Sequence, residues 1–177
     1  MNKVKSSQTF KDDQSELFYW IDKQDNELGS ITRQEAHSGT KKIHRAVDTL
    51  LTNDKNQVLM QKRSKYKDTN PGYWATSASG HVTYGQSYEE AAIRETKEEL
   101  GISLKDLTFL KEIFFESDLE KEIIKIYRAN YQGEKIIADE NEVEETRWVD
   151  IKNLKKFSQK NKLTSSSRYI LQTVGWY

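Results

Sequence analysis

The chain has 177 residues, enough for one domain with a sizeable core. Its 28 Lys+Arg balance 28 Asp+Glu, so no net charge draws it to nucleic acid or to a membrane surface. It has no cysteine, which excludes disulfides, thiolate metal sites and thiol nucleophiles, and no run approaches the roughly 18 apolar residues of a membrane span.

Residues 1–15 are polar and charged and are expected to be a flexible N-terminal tail. They lack the apolar stretch of a signal peptide, which leads to the expectation of a cytoplasmic protein. A single domain is expected over 16–177, and the lone proline, Pro71, argues against extended linkers. Leu17 to Ile21 reads as a short strand, and the following DKQDNELG as a turn. His44–Thr52 and Gln57–Lys62 flank TNDKN, a hairpin signal. Gly72-Tyr73-Trp74 and Ser77–Gly80 lead to a well-marked helix. Ser87 with Glu90 three residues later has the capping-box form, and Gly101 sits where a left-handed C-terminal residue belongs. Ile93, Thr96 and Leu100, three and four apart, are expected to face the core. Leu107–Phe115 and Ile123–Tyr131 read as strands joined through ESDLEKE, and Arg147–Val149 as a short strand. A charged segment, 151–162, precedes an amphipathic helix over about 165–174. This order of strands, helix, strands and helix gives an α/β or α+β fold with a mixed sheet.

Glu95, Glu98 and Glu99 fall at i, i+3 and i+4 and share a second face of the helix. Three carboxylates there repel unless neutralised, and a hard divalent cation would do so. A solvated acidic face with ordinary salt bridges is the blander alternative, and the spacing alone does not decide between them.

The whole stretch GHVTYGQSYEEAAIRETKEELGI, residues 80–102, resembles the Nudix box GX5EX7REUXEEXGU, where U is a bulky aliphatic residue. Gly80, Arg94, Glu95, Glu98, Glu99, Gly101 and Ile102 match, whereas Gln86 replaces a glutamate and Thr96 an aliphatic. The resemblance implies a Nudix fold, a mixed β-sheet sandwiched between α-helices. It also implies Mg²⁺ (Mn²⁺ as an alternative) held by Glu95, Glu98 and Glu99, with Arg94 orienting them. IDKQDNELGSITRQEAHSGTKKIHRA and LMQKRSKYKDTNPGYWATSASGH are further similar to the branch related to isopentenyl-diphosphate isomerase, a likeness covering roughly 17–150. In that branch, histidines seven apart, a third histidine after Cys-Gly, and E-x-E hold a metal. His37, His44, His81, Glu120 and Glu122 fall on those positions, and Ser79 replaces the cysteine. Each histidine taken singly reads first as a core or surface histidine with a backbone partner, and only the set of three brings the metal reading level with that. Arg63 and Lys67 match basic positions that contact the diphosphate, with a solvated basic loop as the alternative. Glu142 and Glu145 are candidates for a general base, and Trp148 reads as core.

The expected activity is Mg²⁺-dependent hydrolysis of a diphosphate bond in a nucleoside diphosphate linked to another moiety. An isopentenyl-diphosphate isomerase-like enzyme and a silent diphosphate-binding module remain open alternatives. A small-molecule diphosphate is the expected partner, and the sequence leaves room for a homodimer.

Overall fold

The structure, a computed structural model, describes residues 13–40 and 42–177. The expected tail therefore lies mostly outside the described residues, and residues 13–15 form a turn in which Ser15 N donates to Asp13 Oδ1. Strand β1 (Leu17–Ile21) turns back antiparallel into β2 (Glu27–Thr32). The turn is tighter than DKQDNELG suggested. Asp22 Oδ1 accepts from Gln24 N and Asn26 N, which closes it within five residues and frees Glu27–Gly29 to pair with β1. Thr32 then caps the one-turn helix α1 (Arg33–Ala36), with Glu35 completing a capping box.

Among the described residues, nine strands form one mixed sheet around β3 (Ile43–Thr52). The expected hairpin to β4 (Gln57–Arg63) holds at its tip, where Thr52 pairs with Val58. Beyond that the strands part, and β6 (Ala78–His81) pairs antiparallel with β3 from Ala46 to Thr49. β8 (Lys121–Asn130) runs parallel to the whole of β3, and β7 (Thr108–Glu116) pairs with β8. β9 is longer than the expected Arg147–Val149. It spans Val143–Asp150 and pairs with β4, which also carries the short β5 (Trp74–Ala75).

Alternation along β3 builds two cores. Ala46 and Leu50 join a cluster with Leu154, Ile170 and Leu171 from two C-terminal helices, α3 (Leu154–Lys160) and α4 (Ser165–Thr173). The charged segment 151–162 is thus largely helical, entered through a 3-10 turn at Ile151–Asn153. Val47 and Leu51 point the other way, into clusters with Tyr88, Ala91, Ala92 and Leu100 of α2 (Tyr88–Leu100).

Helix α2 has both expected ends: Ser87 and Glu90 form the capping box, and Gly101 is left-handed with φ 71°. Thr96 and Leu100 face the core as expected, but Ile93 does not. Ile93 is 40% exposed, while Tyr88, Ala91, Ala92, Thr96, Glu99 and Leu100 are buried. The small side chains of Ala91 and Ala92 let the helix sit close to the sheet. At 3.6 residues per turn Ile93 lies more than a quarter-turn from the centre of that face. Glu99 lies inside the buried face, so the acidic residues do not form a separate solvated stripe.

Candidate active site

The side of the sheet that carries Ala46, Asp48, Ser79 and His81 borders a cavity of about 550 Å³. Its lining brings together Glu95, Glu98 and Glu99 of α2, Arg63 and Lys67 from the end of β4, His37, His81, Glu120, Glu122 and Glu142.

The close approach of α2 to β6 requires Gly80. A Cβ there would stand 2.1 Å from the Glu95 carboxylate carbon. Glu95 receives Arg94 at 2.9 Å, and Arg94 also donates to Glu98 Oε2 at 2.8 Å and to the His81 carbonyl at 2.9 Å. Arg94 Nε donates to Gln86 Oε1 at 3.2 Å, so the amide at this position serves the arginine as an acceptor. Glu99 Oε2 accepts from Gln61 Nε2 at 3.0 Å and from Ser79 N at 3.1 Å. Burial pushes Glu95 up to about 8; Arg94 opposes the shift, and Glu99 and Glu98 add to it. Glu99 is pushed up to about 7 by burial and by Glu142, against Arg63, Gln61 and Lys67. Around these two carboxyls the cations Arg94, Arg63 and Lys67 do not offset the loss of water, and the carboxyl oxygen donors suit a hard divalent cation. Glu98, with 58% of its side chain exposed, closes the open end of the group.

On the basic side, Arg63 is held by Thr69 through its carbonyl at 3.0 Å and its Oγ1 at 3.1 Å. Lys67 Nζ lies 2.6 Å from Glu142 Oε2. Glu145 is elsewhere. It sits within β9, its carboxylate accepts from Arg147, and it is not part of the cavity wall. Trp148 is partly buried and packs against the cluster that holds Leu59 and Leu100, with its ring 5.0 Å from that of Tyr131.

The three histidines meet from three elements: the end of α1, β3 and β6. One ligand atom from each of His37, His44, His81 and Glu120 falls within 4.8 Å of all the others. His37 Nε2 is 3.1 Å from both His81 Nε2 and Glu120 Oε2. Glu122 Oε1 stands 3.5 Å from His44 Nε2 and from His81 Nε2. Phe18 stacks on His81 at 4.4 Å between ring centroids and on His44 at 5.7 Å. Burial lowers His44 and His81 to about 4, which keeps both imidazoles neutral at pH 7. Burial, joined by the charge of Glu120, pushes Glu122 up to about 8. Burial acts to raise Glu120 as well, but hydrogen bonds from His37 and His81 overcome it and hold Glu120 well below the usual carboxylate range. Both nitrogens of the fully buried His44 lack a hydrogen-bond partner among the described residues. A buried imidazole in that state fits a metal ion, and the N, N, N, O donor set suits Mn²⁺ or Zn²⁺.

Asp48, Gln61, Thr76 and Ser167 are buried polar residues that the sequence reading did not single out. Gln61 follows the apolar run Val58–Met60 and stands directly before Lys62 and Arg63, so nothing in the sequence marks it as buried. Thr76 and Ser167 carry no signal either.

Comparisons with known proteins bear on the family and the fold. The family model described as NUDIX domain matches residues 42–174. An isopentenyl-diphosphate Delta-isomerase of Klebsiella pneumoniae is 29% identical over 137 residues, 74% of each chain. A Nudix hydrolase of Pseudomonas aeruginosa, described as uncharacterized, is 41% identical over 88 residues, 50% of this chain and 52% of that one. Among solved structures, a Deinococcus radiodurans protein superposes with a TM-score of 0.76 at 21% identity, covering 90% of this chain and 99% of the other. A MutT protein of Methanosarcina mazei superposes at 0.65 with 25% identity, over 75% and 92% of the two chains.

Proposed function

The chain belongs to the Nudix family, and from that membership we propose that it hydrolyses a diphosphate bond in a nucleoside diphosphate linked to another moiety, using Mg²⁺ at Glu95, Glu98 and Glu99. The observation that carries this reading is one cavity lined by those three carboxylates and by Arg63 and Lys67. A bound divalent cation supplies charge neutralisation and Lewis acidity toward the phosphorus centre. The chain's own groups do the rest. Arg94 fixes Glu95 and Glu98 by charge-assisted hydrogen bonds. Gln61 and the Ser79 amide aim Glu99. Arg63 and Lys67 take the phosphate oxygens, and binding frees Glu142 from Lys67 to receive the proton of the attacking water. Glu142 is preferred over Glu145 as this base because it alone of the two borders the cavity.

The two alternatives fare unequally. A silent binding module was suggested by Gln86, yet Gln86 retains the acceptor that Arg94 uses. An isomerase-like reaction is favoured by the relatives named as isomerases and by the histidine cluster, which supports a second metal centre. Against it stands Ser79, whose hydroxyl is a far weaker acid and nucleophile than a thiol. The test is a panel of nucleotide, sugar and isoprenoid diphosphates with Mg²⁺ or Mn²⁺. Phosphate or nucleoside monophosphate release from the wild type, lost in Glu99→Gln, supports hydrolysis. Double-bond migration without phosphate release would replace this reading with the isomerase one.

A further inference from the structure

Asp48 lies in the wall of the same cavity, is 2% exposed, and has no part in the chemistry above. It is the cross-strand partner of Ser79, so the two side chains leave the sheet on one face. The Ser79 amide holds Glu99, which places Asp48 one strand away from the carboxylates of α2. The neighbouring polar groups are already engaged. Thr76 Oγ1 donates to Asp48 Oδ2 at 2.5 Å, Thr76 N donates to Ser167 Oγ at 3.1 Å, and Thr164 Oγ1 donates to Ser167 Oγ at 2.8 Å. Asp48 Oδ1 is left with no hydrogen-bond partner among the described residues. Around it the cavity wall is mixed, with Ala46, Ile124 and Ile170 beside Ser166 and Ser167 at the start of α4.

We propose that Asp48 is a specificity-determining residue, whose Oδ1 binds a hydroxyl of the organic group carried on the diphosphate, in a subsite between β3 and the N-terminal turn of α4. This rests on the diphosphate occupying the cavity as proposed above. A native fold rarely leaves a buried carboxyl oxygen unpaired without a use for it. Burial holds the Asp48 carboxyl well above the ordinary carboxylate range, against the hydrogen bond from Thr76. A hydroxyl suits such a group in either protonation state, because it can donate to an ionised oxygen or accept from a neutral carboxyl. A hydrocarbon chain in the same place would leave the buried Oδ1 unpaired. Sites built to hydrogen-bond a substrate hydroxyl discriminate against analogues lacking it by factors of about 10⁴ or more at their strongest. The ligand class is therefore a sugar- or nucleoside-bearing diphosphate, and an alkyl diphosphate is rejected.

The test measures binding by calorimetry, with Mg²⁺ present, for ADP, UDP-glucose and isopentenyl diphosphate, and turnover of each in parallel. The wild type should bind the first two more tightly than the third. Asp48→Leu should weaken ADP and UDP-glucose at least ~30-fold and leave isopentenyl diphosphate unchanged or tighter. Asp48→Asn, which retains an acceptor oxygen, should stay within roughly fivefold of wild type. If leucine disrupts the strand, Asp48→Ala is the second variant, with the same change in ratio expected. An unchanged ratio in a folded variant, a wild type that binds isopentenyl diphosphate as tightly as ADP, or one that binds none of the three overturns the inference. Asp48-dependent binding without cleavage removes the hydrolase reading and leaves the subsite standing.

Discussion

Glu99 is the residue in which burial and chemistry meet most directly. Its carboxyl is inside the helix–sheet interface, takes donors from Gln61 and Ser79, and is raised to about 7 by loss of water. Glu99→Gln keeps the shape and removes the charge that a cation needs. We expect turnover to fall at least ~100-fold, the scale of a lost metal-centred contribution of a few kcal/mol. The melting temperature should hold or rise, since a neutral amide is easier to bury than a carboxylate. Retained turnover on the true substrate would reduce the acidic group to a structural feature. Gly80 gives a complementary test. The Cβ of Gly80→Ala would collide with the Glu95 carboxylate, which must swing away. The expected result is a folded protein with weaker Mg²⁺ binding, read by calorimetry; unchanged affinity would place Glu95 outside the metal site.

At the scale of elements, α2 is held at both ends by local chemistry. Ser87→Ala removes one half of the capping box and should cost ~1 kcal/mol, seen as a melting point lower by roughly 2–4 °C. A change below half a degree would show that packing against the sheet alone fixes the helix start. Such local signals are why α2, its cap, Gly101 and most strands were legible in the sequence, whereas the residues at the cavity were named only through the Nudix resemblance. β2 was not legible, because only Ile31 of its six residues is buried and no alternation marks it. α1 is a single turn, too short to show a period. Ile93 misled because the helix buries alanines in its place. Asp48 carries no motif, and its surroundings are assembled from afar: Thr76 lies 28 residues from Asp48 along the chain, and Ser167 a further 91 from Thr76. Glu145 matched a pattern of acidic residues, but the pleat of β9 directs it to Arg147.

For the whole molecule, two sets of buried ionisable groups oppose each other in pH. Glu95 and Glu122 are raised to about 8 and Glu99 to about 7, so between ~4.5 and those values the native state binds more protons than the unfolded chain. Their contribution to stability is lost as pH rises through that window. His44 and His81 are lowered to about 4, so from ~6.5 down to that value the unfolded chain binds more protons, and stability falls as pH drops. In chelator the melting temperature should therefore peak near mildly acidic pH and decline toward pH 8.5. Mg²⁺ should remove much of the alkaline decline by holding the carboxylates ionised, and Mn²⁺ or Zn²⁺ should add stability that fades as pH falls toward about 4, where protons compete for the buried imidazoles of His44 and His81. A curve in chelator that matches the curve in Mg²⁺ at pH 8.5 would mean that the ion does not bind the buried glutamates. The parallel ladder between β3 and β8 has a different consequence, in time. It joins Ile43 to Lys121 and runs on to Thr52 and Asn130, a separation of 78 residues at every rung. Closing a loop of that length loses chain entropy before any rung forms, so the central pairing is a late and slow event in folding. On the ribosome, at about 5–20 residues per second, β3 stays without that neighbour for several seconds after its own synthesis. Until β8 arrives, the β3 edge that it will cover is open to pairing with another chain, and refolding yield should fall with protein concentration for that reason.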